Sequence, residues 1–164
     1  MSERVCVVVG VGPGNGASIS RRFAREGWKV AMTARSADRL RELEAEIPDA
    51  RGYPWDVRDV EAASSVWARI RDELGPPSAL VYNAGSATFG SIDDLEPDAF
   101  QAAWEVNVRG LFVAAKQALP DLRRAERGDL VVIGATASVK GGARFAAFAS
   151  AKFAQRGLAQ SLAR

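Results

Sequence analysis

Arg4-Val5-Cys6-Val7-Val8-Val9-Gly10-Val11-Gly12-Pro13-Gly14-Asn15-Gly16 is the stretch on which the fold turns. Its first half is a β-branched apolar run without polar alternation, as a parallel strand buried on both faces requires. Its second half is a glycine cluster. A helix follows at once, beginning near Ala17, with Ile19, Phe23 and Ala24 recurring at helical spacing between Ser18 and Glu26 and Gly27 as the C-cap. Glycines take positive φ without strain and let the main chain approach a ligand closely. The helix start then offers unpaired N–H groups and the positive end of its dipole, which together suit a phosphate. A glycine cluster also makes ordinary turns. Its place between a strand and a helix favours binding of a dinucleotide pyrophosphate, with Gly10, Gly14, Asn15 and Gly16 as the contact residues.

Outward from this turn, strands and helices alternate. Lys29–Thr33 reads as a second strand. Ser36 caps a helix through Leu40 and Leu43 to Ile47, stopped by Pro48 and Asp49. Gly52–Trp55 is a third, short strand. Asp59 opens a helix with Ala62, Val66, Ile70 and Leu74 on one face, broken at Gly75-Pro76-Pro77. Ala79–Tyr82 is a fourth strand. Pro97 suits the first turn of a long helix to about Arg127, with Pro120 marking a kink or break. Asp129–Gly134 is a fifth strand, and Phe145–Arg164 a final helix. Crossovers of this length pair strands in parallel. The expected fold is α/β: a Rossmann-type doubly wound sheet in three layers, strand order 3-2-1-4-5, with a ligand crevice where the order reverses. Residues 1–164 read as one dinucleotide-binding domain, C-terminally incomplete: the last helix carries no stop signal and the fifth strand is an unprotected aliphatic edge.

Composition narrows the chemistry. The 164 residues are 48% hydrophobic and 26% charged, with net charge +2, as in an ordinary globular protein. Arginines cluster at Arg21, Arg22 and Arg25 and at Arg123, Arg124 and Arg127, and read as solvated helix faces rather than a nucleic-acid surface. The chain has no histidine, which removes imidazole acid/base chemistry and the usual zinc ligands, so no metal is expected. Its one cysteine, Cys6, lies in the first apolar run and fits a reducing cytoplasm. No apolar run is long enough for a membrane span, and Met1–Arg4 lead directly into a strand without a signal peptide.

Gly10, Gly14 and Gly16 give the spacing Gly-x-x-x-Gly-x-Gly. Asn83-Ala84-Gly85 follows the fourth strand, Val106-Asn107-Val108 lies in the long helix, and Ser150-Ala151-Lys152 in the last. With these motifs the chain resembles the short-chain dehydrogenase/reductase superfamily from residue 4 to residue 164. It departs in having Val9 where Thr is usual before the first glycine, and in Gly12 and Pro13. The resemblance implies a nicotinamide dinucleotide held by the glycine turn, by Asp56 and Val57 at the adenine, and by Asn83, Ala84 and Gly85. Asp56 has another reading, as a cap for the helix near Asp59. NAD-preferring members carry an acid after the second strand; here the stretch is Met32-Thr33-Ala34-Arg35-Ser36. A guanidinium matches a 2′-phosphate, so Arg35, assisted by Arg39, favours NADP(H) over NAD(H), unless it is only a surface arginine.

The family's catalytic set is Asn, Ser, Tyr and Lys. The resemblance places Asn107 and Lys152 at the first and last of these. The tyrosine position, four before the lysine, is Phe148, and the serine position is Ala135. The only tyrosines, Tyr53 and Tyr82, lie upstream on other expected strands, so no shift of alignment restores the phenol. Thr136 and Ser138 are nearby hydroxyls, and Ser138 reads first as turn chemistry. A subgroup of the superfamily carries Phe at this position, keeps the Lys and has an altered glycine motif, and the chain resembles it. Three functions stay open: an oxidoreductase on a small carbonyl or alcohol with weak or atypical catalysis, Lys152 or water supplying the proton; a non-catalytic NADP(H)-binding sensor or scaffold; and a piece without independent activity. The substrate is not legible. By the same resemblance, the helices around 98–127 and 145–164 would form a homodimer or homotetramer interface, although Phe145, Phe148, Phe153 and Leu158 could equally be core.

Overall fold

The computed structural model describes residues 4–164. The reading of Met1–Glu3 as free of a leader lies outside them. Five strands, β1 (Val5–Val9), β2 (Lys29–Ala34), β3 (Ala50–Pro54), β4 (Ala79–Tyr82) and β5 (Asp129–Val132), form one parallel sheet in the order β3-β2-β1-β4-β5. The helices are α1 (Asn15–Arg25), α2 (Ala37–Glu46), α3 (Val60–Leu74), α4 (Pro97–Trp104), α5 (Gly110–Leu122) and α6 (Ala146–Leu162). They cover both faces of the sheet, the expected α/β Rossmann-type architecture.

Side-chain alternation along the strands divides the interior in two. Cys6 and Val8 point with Val30 and Met32 toward Leu40 and Leu43 of α2. Val7 and Val9 point with Ala31 and Leu80 toward Trp67 and Ile70 of α3 and Leu111 and Ala114 of α5. The α3 face is wider than its stripe implies: Trp67 is fully buried and meets Trp55 edge to face, centroids 5.3 Å apart. The caps follow the sequence. Ser36 Oγ accepts from Arg39 N at 3.2 Å and Asp59 Oδ1 from Ala62 N at 3.0 Å. Gly27 takes φ +75° just after α1. The two arginine clusters are largely solvated: Arg21 pairs with Glu46 and Arg22 with Glu26.

Several boundaries differ from expectation, among them β2, which runs one residue further to Ala34, and α6, which is Ala146–Leu162 rather than Phe145–Arg164. α1 begins at Asn15, two residues before the expected start near Ala17, because the glycine turn itself winds into the first helical turn. β3 is Ala50–Pro54 rather than Gly52–Trp55: Ala50 pairs with Val30, and Trp55 only donates its N–H onward to Ala34 O. β5 stops at Val132, though Ile133 N still bonds Tyr82 O at 2.9 Å. The long helix ends at Leu122, not near Arg127, and Pro120 does not break it. Pro120 sits in the last turn of α5, where its missing N–H removes a single bond. The real interruption is a π-turn at Glu105–Arg109. Among the described residues, no helix is long and apolar enough to cross a membrane.

Candidate functional site

The C-terminal ends of β1, β2, β3 and β4 open into a cleft of about 980 Å³. Its lining includes Gly10 through Gly16, Arg35, Ser36, Arg39, Asp56, Val57, Arg58 and Asn83 through Ser86. Every expected dinucleotide contact except Lys152 is therefore on one concave surface, at the strand-order reversal between β1 and β4.

The glycines differ in their physical roles. Gly10 has φ +87°, and a Cβ there would overlap the backbone of Ala84. A Cβ on Gly16 would fall 2.7 Å from Val11 Cα and 2.8 Å from Gly10 O. Both are required by the protein's own packing. Gly14 is different: a Cβ there meets nothing within 4 Å and would project into open space. Gly12, in the same turn, is open in the same way. α1 starts one residue after Gly14, and of its first-turn residues Asn15 and Gly16 line the cleft, whereas the Ala17 and Ser18 amides already donate to Gly12 O and Gly14 O. Asn83 Nδ2 donates to Gly10 O at 2.7 Å, tying the loop after β4 to the glycine turn.

Arg35, exposed at the end of β2, and Arg39, one turn into α2, lie on the same wall. Asp56 is not the cap of α3, a place taken by Asp59. Its carboxylate faces Arg58, with Arg58 Nη2 2.7 Å from Oδ2. That hydrogen bond holds Asp56 below the ordinary carboxylate range. Arg58 escaped the sequence reading, although its position two residues beyond Asp56 in a tight turn was the available signal.

Beyond the cleft lies a second group joined through Gly85. A Cβ on Gly85 would stand 3.5 Å from Asn107 Oδ1 and 3.7 Å from Lys152 Nζ. The two retained residues of the expected catalytic set thus meet at the loop that also lines the cleft. Asn107 is fully buried. Its Nδ2 donates to Ala103 O at 2.8 Å and Ser86 O at 3.0 Å, and its Oδ1 has no hydrogen-bond partner among the described residues. Lys152 is also buried, donating to Gln155 Oε1 at 2.8 Å and Ile133 O at 3.2 Å. Burial lowers its pKa. Gln155, one turn along α6, was missed; its i+3 spacing from Lys152 puts both on one helix face.

Phe148 stands one turn before Lys152, with Nζ 6.0 Å from its ring centroid. Phe89 and Phe145 contact the Phe148 ring, with centroids 5.5 and 6.5 Å away. Phe145 and Phe153 are exposed rather than core, and Phe148 and Leu158 are half-buried. Ala135 is exposed and extended, and its N–H donates to Ser138 Oγ at 3.1 Å, so Ser138 stabilises the turn as expected. Tyr53 and Tyr82 are both buried on their strands. Among the described residues, no cluster of three or more potential metal ligands occurs.

The family model for short chain dehydrogenase matches residues 4–164. The chain is 30% identical over 155 residues to 2,3-dihydro-2,3-dihydroxybenzoate dehydrogenase of Bacillus subtilis, covering 92% of this chain and 59% of that protein. It is 36% identical over 146 residues to inactive 2-(S)-hydroxypropyl-CoM dehydrogenase 2 of Xanthobacter autotrophicus, covering 88% and 64%. The crystal structure of F189W actinorhodin polyketide ketoreductase with NADPH superposes with TM-score 0.91 at 31% identity, covering 99% of this chain and 66% of that one. The chain therefore spans less than two thirds of the length of these relatives.

Proposed function

Since this chain belongs to the short-chain dehydrogenase family, we propose that it binds NADP(H) in the cleft above Gly10–Gly16 and acts as an oxidoreductase on a small carbonyl or alcohol, with weak or atypical proton transfer. The observation that carries the reading is the open space at Gly14, set between two glycines that the chain's own packing requires. Residues 4–164 then form one dinucleotide-binding unit. The pyrophosphate lies over Gly14 and the amides of Asn15 and Gly16 at the start of α1. Asp56 and Val57 take the adenine end, and Arg35 with Arg39 the 2′-phosphate. Asn83, Ala84 and Gly85 form the floor.

The dinucleotide supplies hydride transfer, and the chain supplies binding and orientation. Lys152 clamps the nicotinamide ribose. Its burial beside the uncharged Gln155 side chain and Ile133 carbonyl favours release of a proton, so its amine or a water beside Asn107 stands in for the absent phenol. Exposed Phe100, Trp104 and Phe112 along α4 and α5, and Phe153 on α6, support self-association through these helices as a homodimer or homotetramer.

A second reading is a non-catalytic NADP(H)-binding sensor or scaffold. Phe148 at the acid/base position favours it, as does the similarity to a relative named as inactive. NADPH consumption against a broad carbonyl panel, in wild type and Lys152→Ala, separates the two. Turnover lost in the variant supports the oxidoreductase. Saturable binding without turnover supports the sensor.

A further inference from the structure

Gly110 N–H donates to the carbonyl of Glu105, five residues back, where an α-helix would use Val106, four residues back. The turn Glu105–Arg109 therefore holds one residue more than its neighbours, and the Val106 carbonyl loses its intrahelical donor. A partly buried carbonyl needs another. Tyr82, fully buried on β4, provides it: its hydroxyl donates to Val106 O at 2.5 Å. Gly110 makes the contact possible, because a Cβ there would overlap the Tyr82 hydroxyl and lie 3.0 Å from Val57 Cβ. Burial raises the Tyr82 phenol far above its ordinary pKa, so the hydroxyl is a constant donor.

Asn107 is the middle residue of this turn. Its Nδ2 bond to Ser86 O anchors it to the loop that leaves β4, the strand that carries Tyr82. β4 and its loop thus grip the π-turn at two points, one through Tyr82 and one through Asn107 itself. We propose that Tyr82 is a positioning residue: its hydroxyl holds the π-turn open and so aims the Asn107 carboxamide at Gly85 and Lys152. This role rests on Asn107 belonging to the site proposed above.

The test is Tyr82→Phe in the full-length protein labelled with 15N-asparagine, without dinucleotide. The Asn107 side-chain amide pair is identified by its loss in Asn107→Asp. Removing the hydroxyl is expected to shift this pair and speed its solvent exchange by on the order of tenfold, while the Asn83 pair holds. An unchanged Asn107 pair beside a lowered melting temperature would make Tyr82 a packing residue only and overturn the proposal. If Tyr82→Phe does not fold, Gly110→Ala, which keeps the ring and displaces the hydroxyl, is expected to move the Asn107 pair in the same way; a wild-type pair there overturns the proposal as well. Because the readout needs no dinucleotide, failure of NADPH titration would count against the proposed function and not against this role.

Discussion

The ammonium of Lys152 lies 6.0 Å from the centre of the Phe148 ring, one helical turn earlier on α6. The i, i+4 spacing puts both side chains on one face of α6, so Phe148→Tyr would bring a phenol to the same helix face as Lys152. General acid/base groups contribute about 10²- to 10⁴-fold. Native turnover is therefore expected to be low, and Ala135→Ser with Phe148→Tyr is expected to raise NADPH-dependent reduction of small activated ketones toward that factor. The measurement is the initial rate of NADPH oxidation at saturating dinucleotide. A silent double variant that still binds NADPH would favour the sensor or scaffold.

Arg35 is exposed on the wall of the cleft, and no acid stands at the end of β2. NADPH is expected to bind more tightly than NADH. Arg35→Ala is expected to erase most of the difference, about 1–3 kcal/mol for a charge-assisted contact. Titrations of both dinucleotides against both proteins check this. Equal wild-type affinities would leave Arg35 a surface residue.

Burial holds Lys152 below its ordinary pKa near 10.5. The unfolded chain therefore keeps this proton to a higher pH than the folded one. Between the folded value and 10.5, stability rises with pH; below that window the burial penalty is complete. Lys152→Met removes the titration, so wild type is expected to gain on the variant as pH rises from about 7 to about 10. Urea unfolding of the pair at both pH values measures the gap. A gap that does not change with pH would mean that the ammonium is not penalised by burial.

The fold was readable because its signals are local and periodic. Val5–Val9 followed by Gly10–Gly16, the caps at Ser36 and Asp59, and the unbroken apolar strand at Ala79–Tyr82 each report on their own segment. The glycine spacing likewise announced the cleft. The π-turn at Glu105–Arg109 was not readable, because it depends on a hydroxyl from β4 and on empty space at Gly110, distant in sequence. Pro120 attracted the expectation of a break that belonged one helix earlier. Arg58 and Gln155 were missed for a similar reason: each matters through a partner, Asp56 or Lys152, and only the folded chain gives the bond. Asp56 itself could be read as a cap or a ligand-facing acid, and Asp59 taking the cap decides against the first.

NADPH titration of Gly14→Val beside wild type, followed by dinucleotide fluorescence, tests the central claim most directly. Gly14 does not need positive φ, and a Cβ there meets no atom of the described residues within 4 Å. The variant is therefore expected to fold, with a small loss of melting temperature because valine is a poorer N-cap for α1 than glycine, and to lose NADPH binding, because valine fills the space that the pyrophosphate needs. Wild-type affinity in a well-folded Gly14→Val protein would contradict the assignment of this cleft to the dinucleotide.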